Sequence, residues 1–243
     1  MTPIKNALAI LASGRCGMLG ENAVKFIDMA KRNVENLTSI INDILDINKI
    51  EAGKMDFNYK TMNIHSVIEN VKNNFDCVAK EHEIIFKAEE QDNLPDIYAD
   101  SQRLGQVLTN LVSNAIKFTP KGKNITIKSE LKNADEITTN SYFENEIKQL
   151  NGNYIVVSVI DEGIGIKKEN LLKAFDKFTQ IENSLSRKVG GTGLGLPIAR
   201  QLVKAHRGAI WCDSAEEKGS SFHFALPVSA ENIEGKTIQK ELL

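Results

Sequence analysis

Apolar residues recur at helical spacing along the first fifty residues of the chain. From Ile27 to Ile44 they stand alternately three and four positions apart, and a second apolar stripe runs beside them. The stretch SGRCGMLGEN, residues 13–22, interrupts the pattern, so we predict a helical hairpin with a short first arm. A face this wide suits a helical bundle, and a lone hairpin cannot bury it. We therefore expect a second copy of the chain to cover it, forming a homodimer.

Shorter apolar runs of mixed period fill the chain from Met55 to Val228. Stretches such as EIIFKAEE, NITIKSELK, YIVVSVIDEG and SFHFALPV predict strands, and SQRLGQVLTNLVSNAIKFT and PIARQLVKAH predict amphipathic helices. Strands and helices mix in an α+β order. Residues 133–153 are polar and long for a hairpin connection, and we interpret them as a surface excursion that could be partly helical.

This pattern divides the chain into three parts. Residues 1–54 are predicted to form the helical hairpin, residues 55–228 a second domain of strands and helices, and residues 229–243 a polar tail or linker. The chain has 243 residues, of which 42% are hydrophobic and 26% charged, and these values are ordinary for a globular protein. The formal net charge of −2 indicates no basic surface for nucleic acid.

The location of the protein is indicated by its apolar runs and its cysteines. No apolar run approaches the roughly 20 residues that span a bilayer, and the start shows no signal-peptide pattern. We expect a cytoplasmic location, with any membrane attachment supplied by segments outside this chain. The three cysteines are scattered without metal-ligand spacing, which favours free thiols in a reducing cytosol.

The stretch NLVSNAIKFT is the first of three that suggest chemistry. On a helix, Asn110, Asn114 and Lys117 fall on one face, opposite an apolar face. Amide oxygens can complete the oxygen shell of Mg²⁺, and a lysine adds positive charge beside phosphate. The face therefore suits a phosphate–magnesium group, although taken alone it could equally be a solvated helix face.

The other two stretches place glycines beside a carboxylate and before a helix. In VIDEGIGI, Asp161 ends a strand and Gly163 and Gly165 follow it. This carboxylate can accept from an exocyclic amine while the glycines let a flat base lie close; the alternative is an ordinary Asp-Glu-Gly turn. In VGGTGLGLPIAR, glycines precede a helix that we predict to start at Pro197. Such freed N–H groups bind anions; the alternative is a flexible linker.

In this order the three stretches resemble the sequence boxes of the sensor histidine kinases. NLVSNAIKF resembles their N box, DEGIGI and GGTGLGL their two glycine boxes, FDKF (residues 175–178) their F box, and KGSSFHFALP is similar to their last glycine-containing box. The resemblance covers about residues 56–228. It implies a Bergerat-type (GHKL) ATP-binding fold, an α/β sandwich shared with gyrase B and mismatch-repair ATPases. Residues 1–52 resemble the family's dimerisation and phosphoacceptor domain.

The resemblance also implies roles for single residues. Asp161 would recognise the adenine amino group of ATP. Asn114, with Asn110, would hold Mg²⁺, and Lys117 would contact phosphate as the third catalytic residue. The residues implied to bind the nucleotide, mostly by shaping a mobile lid over the triphosphate, are Gly163, Gly165, Phe178, Arg187, Gly191, Thr192, Gly193, Leu194 and Gly195. Among these, Arg187 would contact the γ-phosphate, and Phe178 would pack the lid together with Phe175.

One feature of the family is missing at its expected place. The family's phosphoacceptor histidine sits in a motif like His-Glu-x-x-Thr-Pro, and this chain begins MTPIKN, so the histidine would lie just before residue 1. We expect either a chain that begins immediately after its acceptor or a natural homologue without one. In both cases we expect Mg-ATP binding without autophosphorylation on histidine. The histidines present, interpreted as structural or surface residues outside the hairpin, are His65, His82, His206 and His223.

The function implied by the resemblance is transfer of the ATP γ-phosphate to a histidine and then to an aspartate of a response-regulator receiver domain. Two alternatives are an ATP-hydrolysing clamp of the gyrase or chaperone type and a non-catalytic ATP-dependent interaction module. The clamp needs a carboxylate to activate water, which in those relatives stands four residues before the magnesium-binding asparagine. This chain has Asn110 there, an amide, which counts against the clamp. The helical hairpin disfavours the module.

Overall fold

A computed structural model of the chain describes residues 2–13, 17, 19–180 and 192–228. The chain forms two compact units, Met1–Glu51 and Ala52–Leu243. The tail predicted over residues 229–243 lies outside the described residues, so the three-part division of the chain stays a prediction. Among the helices of the described part, none combines the length and the apolar character that crossing a membrane requires.

The first unit is a helical hairpin, which confirms the fold predicted for this part of the chain. Its helices are α1 (Thr2–Ala12) and α2 (Glu21–Glu51). Large apolar side chains stay exposed along both helices: Ile4, Ile10, Leu11, Val24, Phe26, Met29, Leu37, Ile41, Ile44 and Leu45. Apolar stripes of this extent are typical of surfaces that associate with a partner.

The second unit is built on a mixed five-stranded sheet with the strand order β2-β4-β5-β7-β6. Its strands are β1 (Lys60–Met62), β2 (Ile85–Glu90), β3 (Ile97–Ala99), β4 (Asn124–Asn133), β5 (Asn153–Asp161), β6 (Ala209–Ser214) and β7 (Ser220–Pro227). β2 and β4 are parallel, and the remaining neighbours in the sheet are antiparallel. β1 and β3 pair with each other in a separate antiparallel ribbon.

Helices pack on this sheet and complete an α/β sandwich, as the fold class predicted. They are α3 (Ile64–Glu81), α4 (Ser101–Phe118), the short α5 (Glu144–Ile147) and α6 (Gly195–Ala205). α4 contacts α3, α6 and β5, which makes it the central helix of the layer. Its apolar face is fully buried at Leu104, Val107, Leu108, Leu111 and Val112. The polar face of α4 is therefore held in one orientation by the burial of the opposite face.

Side-chain caps set the start of the two long helices of this unit. Asn63 accepts from the backbone N–H of His65 at 3.0 Å at the start of α3. Asp100 accepts from the N–H groups of Gln102 and Arg103 at the start of α4. Caps of this kind satisfy N–H groups that a helix leaves without an internal partner.

Helix α6 begins at Gly195, two residues earlier than predicted from Pro197. The proline therefore stands in the first turn and not at its first position. A proline is tolerated there because the first-turn N–H groups have no helical acceptor. The earlier start places the last glycine of the GGTGLGL stretch inside the helix.

Most residues of the segment between β4 and β5 are exposed, as predicted for a surface excursion, and three buried apolar residues anchor it to the domain. It contains a single 3₁₀ turn, Ala134–Glu136, and helix α5, so the partly helical interpretation is correct. Its apolar residues Ile137, Phe143 and Ile147 are buried, with Phe143 only 1% exposed. A few apolar residues spaced among polar ones were enough to dock the segment.

Candidate nucleotide-binding site

Asp161, at the end of β5, is a buried carboxylate held by two backbone N–H groups. Its Oδ1 accepts from Gly163 at 2.8 Å and from Ser220 at 3.2 Å. Neither donor engages Oδ2, the second acceptor oxygen of this side chain. Burial raises the pKa of Asp161 to about 6, and the two backbone hydrogen bonds oppose that rise only in part. The carboxylate is therefore fixed in place and weakly solvated, which strengthens any hydrogen bond that it accepts.

The glycines around Asp161 are required by close backbone contacts. A Cβ on Gly163 would lie 2.6 Å from both Asp161 Oδ1 and the carbonyl oxygen of Phe118. Gly165 has φ +68°, and its Cβ would lie 1.9 Å from the carbonyl oxygen of Ala215. Both glycines thus shape a tightly packed wall beside the carboxylate. This packing accounts for glycine at these two positions, and their part in a mobile lid stays a prediction.

The polar face of α4 carries Asn110, Asn114 and Lys117, all of them half-buried. Asn110 Nδ2 donates to the carbonyl oxygen of Gly195, the first residue of α6, at 2.9 Å. Burial lowers the pKa of Lys117 from its ordinary value. At the C-terminal end of the same helix, the carbonyl oxygen of Phe118 accepts from Ile164 in the Asp161 loop at 3.3 Å. α4 therefore links the carboxylate region to the start of α6.

The turn before α6 is closed by a side-chain hydrogen bond and by glycine. Thr192 Oγ1 accepts from the N–H of Leu194 at 3.1 Å, and Leu194 is fully buried. Gly193 has φ +68°, and its Cβ would lie 2.9 Å from the carbonyl oxygen of Thr179. The turn therefore packs closely against the backbone that follows the F box. Arg187, Gly191 and the other predicted lid residues between positions 181 and 191 lie outside the described residues.

The two phenylalanines of the F box have opposite environments. Phe175 is buried, with its ring 5.7 Å from that of Phe143 and 6.2 Å from that of Phe222. Phe178 is 66% exposed at φ +59°, and its N–H donates to the carbonyl oxygen of Gly193 at 3.1 Å. Phe175 is therefore a core residue, and Phe178 meets the turn before α6 through its backbone.

Ser220 and Gly219 contact Asp161 in the candidate site, although sequence reasoning assigned them no role. The N–H of Ser220 holds Asp161, and a Cβ on Gly219 would lie 1.9 Å from the carbonyl oxygen of Asp161. The sequence feature that could have indicated them is the stretch KGSSFHFALP, which is similar to a family box but to whose single residues no function was assigned. Only the pairing of β7 with β5 brings these residues to Asp161, nearly 60 positions away.

The oxygen donors suit a magnesium ion that arrives with phosphate. Within the described ranges, no group of three or more His, Cys, Asp or Glu side chains could hold a metal alone. The amide oxygen of Asn110 is not used by its bond to Gly195, which the amide nitrogen makes. Mg²⁺ keeps several waters and binds proteins through few ligands plus substrate phosphates, so a pair of amides fits its preference.

The chain matches a known family and named relatives. The family model described as histidine kinase-, DNA gyrase B-, and HSP90-like ATPase matches residues 99–230. The sensor histidine kinase WalK of Bacillus subtilis (strain 168) is 32% identical over 238 residues, which cover 95% of this chain. The chain spans about a third of the length of that relative, 35%.

Solved structures share the fold. The catalytic domain of histidine kinase ThkA is 30% identical with a TM-score of 0.56, covering 72% of this chain and 99% of that one. Full-length ShkA in complex with AMPPNP has a TM-score of 0.72 at 23% identity, covering 93% and 43% of the two chains. ThkA in complex with the response regulator protein TrrA has a TM-score of 0.63 at 24% identity, covering 93% and 59%.

Proposed function

This chain belongs to the family of histidine kinase-, DNA gyrase B- and HSP90-like ATPases, and it is the ATP-binding catalytic core of a sensor histidine kinase. From this family membership we propose the reaction of the complete protein and the residues that bind the nucleotide. In the complete protein, the core transfers the γ-phosphate of ATP to a histidine. A receiver-domain aspartate of a response regulator then accepts the phosphate, in line with the complex that the similar protein ThkA forms with TrrA.

Asp161 recognises adenine in this proposal. Its carboxylate is fixed by Gly163 and Ser220, which leaves Oδ2 to accept from the exocyclic amino group of the base. The wall formed by Gly163 and Gly165 lets a flat ring approach the backbone. A buried acceptor discriminates strongly, because a base without a donor leaves the acceptor desolvated and unpaired.

The polar face of α4 and the start of α6 bind the triphosphate. Asn110 and Asn114 supply amide oxygens to Mg²⁺, and Lys117 contacts phosphate. Bound Mg²⁺ would neutralise charge on the phosphate oxygens. The residues proposed to complete the phosphate site are Arg187, Gly191, Thr192, Gly193, Leu194, Gly195 and Phe178. The N-terminus of α6 favours anions because its first N–H groups have no helical acceptor.

The hairpin provides the surface for a second copy of the chain. Its exposed apolar stripe would be buried in a bundle of helices from two copies, which makes the proposed kinase a homodimer. We further propose that the core works in the cytoplasm, where both ATP and receiver domains are present.

The observation that carries this proposal is the buried Asp161 carboxylate with its two backbone N–H donors. It predicts selectivity for adenine over guanine, since guanine presents a carbonyl oxygen where adenine presents an amine. The test is competition against a fluorescent ATP analogue in the presence of Mg²⁺, with ATP and GTP as competitors. ATP should bind about a hundredfold more tightly than GTP. Equal binding of the two, or no binding of ATP, would contradict the proposal.

Phosphotransfer is tested by supplying a histidine at the place implied by the family motif. A version with His-Glu-Ala placed before Met1 should incorporate γ-phosphate that is acid-labile and base-stable, whereas the chain itself should not. Labelled protein should then pass its phosphate to a receiver domain. Equal labelling of both versions would place the acceptor elsewhere and overturn this part of the proposal.

A further inference from the structure

The segment between β4 and β5, residues 133–153 and here called the insert, contacts both sides of the turn that leads into α6. The function proposed above uses only α4, the Asp161 loop and that turn. Two residues of the insert, Phe143 and Glu146, nevertheless reach Phe175 in the F box and Arg200 on α6.

Phe143 holds Phe175 from the side of the insert. Its ring meets that of Phe175 edge-on at 5.7 Å with an angle of 78°, and Phe143 is almost fully buried. Phe175 stands three residues before Phe178, whose N–H bonds to the carbonyl oxygen of Gly193. A shift of Phe143 would therefore move the backbone against which the Gly193 turn is packed.

Glu146 holds Arg200 from the same side. The Glu146 carboxylate pairs with Arg200 Nη2, and the two side chains are only 21% and 28% exposed. The guanidinium of Arg200 also lies 5.8 Å from the centre of the Phe175 ring, within cation–π range. Arg200 Nε is buried without a hydrogen-bond partner within the described part of the chain, so Glu146 is an important anchor of this side chain.

The insert is itself anchored to the edge of the sheet. Asn140 Nδ2 donates to the carbonyl oxygen of Cys212 and to Asp213 Oδ1, both at 2.8 Å, and both residues lie on β6. The insert thus spans from the edge strand to α6 and to the F box. An 11-residue helix such as α6 is stiff, so a restraint at Arg200 is transmitted to its start at Gly195, where Asn110 is bonded.

We propose that the insert is a positioning element for the phosphate-binding side of the nucleotide site. Glu146 orients α6 by holding Arg200, and Phe143 orients the Gly193 turn by holding Phe175. Together they keep α6 and the turn in place against Asn110. The expected effect of the insert on nucleotide binding rests on the proposed function. Glu146 is a positioning residue and touches no nucleotide. Its loss lowers affinity for groups that α6 contacts and spares the adenine contact at Asp161.

The test compares Glu146→Ala with Glu144→Ala in the full chain. Glu144 forms a solvent-exposed ion pair of 2.8 Å with Lys148, the residue that follows α5, so its substitution removes a charge from the insert without removing a bond to α6. In competition assays, Glu146→Ala should weaken ATP binding about three- to tenfold and leave adenosine binding unchanged, whereas Glu144→Ala should change neither. Equal weakening of ATP and adenosine would indicate general destabilisation and overturn the proposal.

A nucleotide-free measurement separates the positioning role from the proposed function. Amide hydrogen exchange at Ile198, whose N–H bonds to Leu194 in the first turn of α6, should speed up at least threefold in Glu146→Ala and not in Glu144→Ala. The change should disappear in an Arg200→Ala background, where the partner is already lost. Unchanged exchange at Ile198, or an undiminished effect without Arg200, would refute the inference even if ATP binds. Fluorescence of Trp211, the single tryptophan, checks that each variant is folded.

Discussion

Asn110 and Gly195, 85 positions apart, are joined by a hydrogen bond of 2.9 Å from the side-chain amide of the first to the carbonyl oxygen of the second. The bond connects the helix that carries the proposed magnesium ligands to the helix that follows the glycine-rich stretch. It occupies the amide nitrogen of Asn110, so the oxygen of the same amide can serve a metal. One side chain would thus meet two needs of the proposed site, because an amide presents a donor and an acceptor side by side.

Removal of the Asn110 amide should affect stability and binding together. Asn110→Ala is expected to lower the free energy of unfolding by about 1 kcal/mol, the usual net contribution of one hydrogen bond, and to weaken Mg-ATP binding. Thr109, the exposed neighbour on α4, provides the control variant Thr109→Ala. The measurements are chemical denaturation and ATP competition with and without Mg²⁺. A variant that loses neither stability nor magnesium-dependent affinity would contradict both roles of Asn110.

Asp161→Asn should abolish ATP binding and yet stabilise the protein above pH 6. The pKa of Asp161 is raised by burial from 3.8 to about 6, so the folded state keeps a proton that the unfolded chain has already released. Stability is therefore lost as the pH rises from about 4 to about 6, and the asparagine variant escapes that loss. The expected gain at pH 7.5 is about 1–3 kcal/mol.

Thermal melts at pH 7.5 and pH 4 measure this difference, which should shrink at the lower pH because the wild-type carboxyl is then protonated. Asp92→Asn, at an exposed position, serves as the control. A lower melting temperature for Asp161→Asn than for the wild type at pH 7.5 would show that the charge stabilises the fold.

Gly165→Ala should be much more damaging than Gly122→Ala, although both glycines have positive φ. The backbone angles are +68° and +77°, so the conformational cost of alanine is similar, about 1–2 kcal/mol. Gly122 has open space where a Cβ would stand, whereas at Gly165 the Cβ would lie 1.9 Å from the carbonyl oxygen of Ala215. Denaturant unfolding should show an additional loss of roughly 2 kcal/mol or more for Gly165→Ala. Equal losses would mean that the Asp161 loop adjusts freely.

His206 should make stability fall as the pH drops below 6.5. Its Nε2 accepts from the N–H of Asp100 at 3.0 Å, and its Nδ1 bonds to the carbonyl oxygen of Leu202 at 2.8 Å, so the buried ring is neutral. Burial lowers the pKa of His206, with the Leu202 carbonyl and the Asp100 carboxylate opposing that shift. The unfolded chain therefore takes up a proton that the folded chain excludes.

His206→Gln should be less stable at pH 7.5 and should depend less steeply on pH between 6.5 and 5. The slope should decrease by up to about 1.4 kcal/mol per pH unit, the value for one proton. Burial also lowers the pKa of His223, to about 4. Its contribution to the pH dependence of stability is the same in both proteins and cancels in the comparison. Unfolding free energies at several pH values provide the measurement, and parallel curves for the two proteins would disprove the role of His206.

Local patterns were reliable where one face of an element is buried. The period of α4 identified both its apolar face and the polar face that carries Asn110, Asn114 and Lys117, because a helix buried on one side needs that spacing. The start of α6 was predicted two residues too late, since proline is tolerated at several positions of the first turn and Pro197 alone does not fix the start. The pattern also did not distinguish Phe143, which is buried, from its exposed neighbour Tyr142, because the burial of Phe143 depends on Phe175 elsewhere in the chain.

The sequence by itself determined the helical hairpin and the α+β order of elements, because periodicity and residue type are local properties of the chain, and its sequence boxes carried the resemblance that implied the family, the α/β sandwich and the candidate site. Only the tertiary structure decided that Ser220 would hold Asp161, that Gly165 would press against Ala215, and that the insert would reach Arg200. These contacts join positions that no local pattern relates. They arise from the order of strands in the sheet and from the packing of side chains between layers, which depend on the whole chain at once.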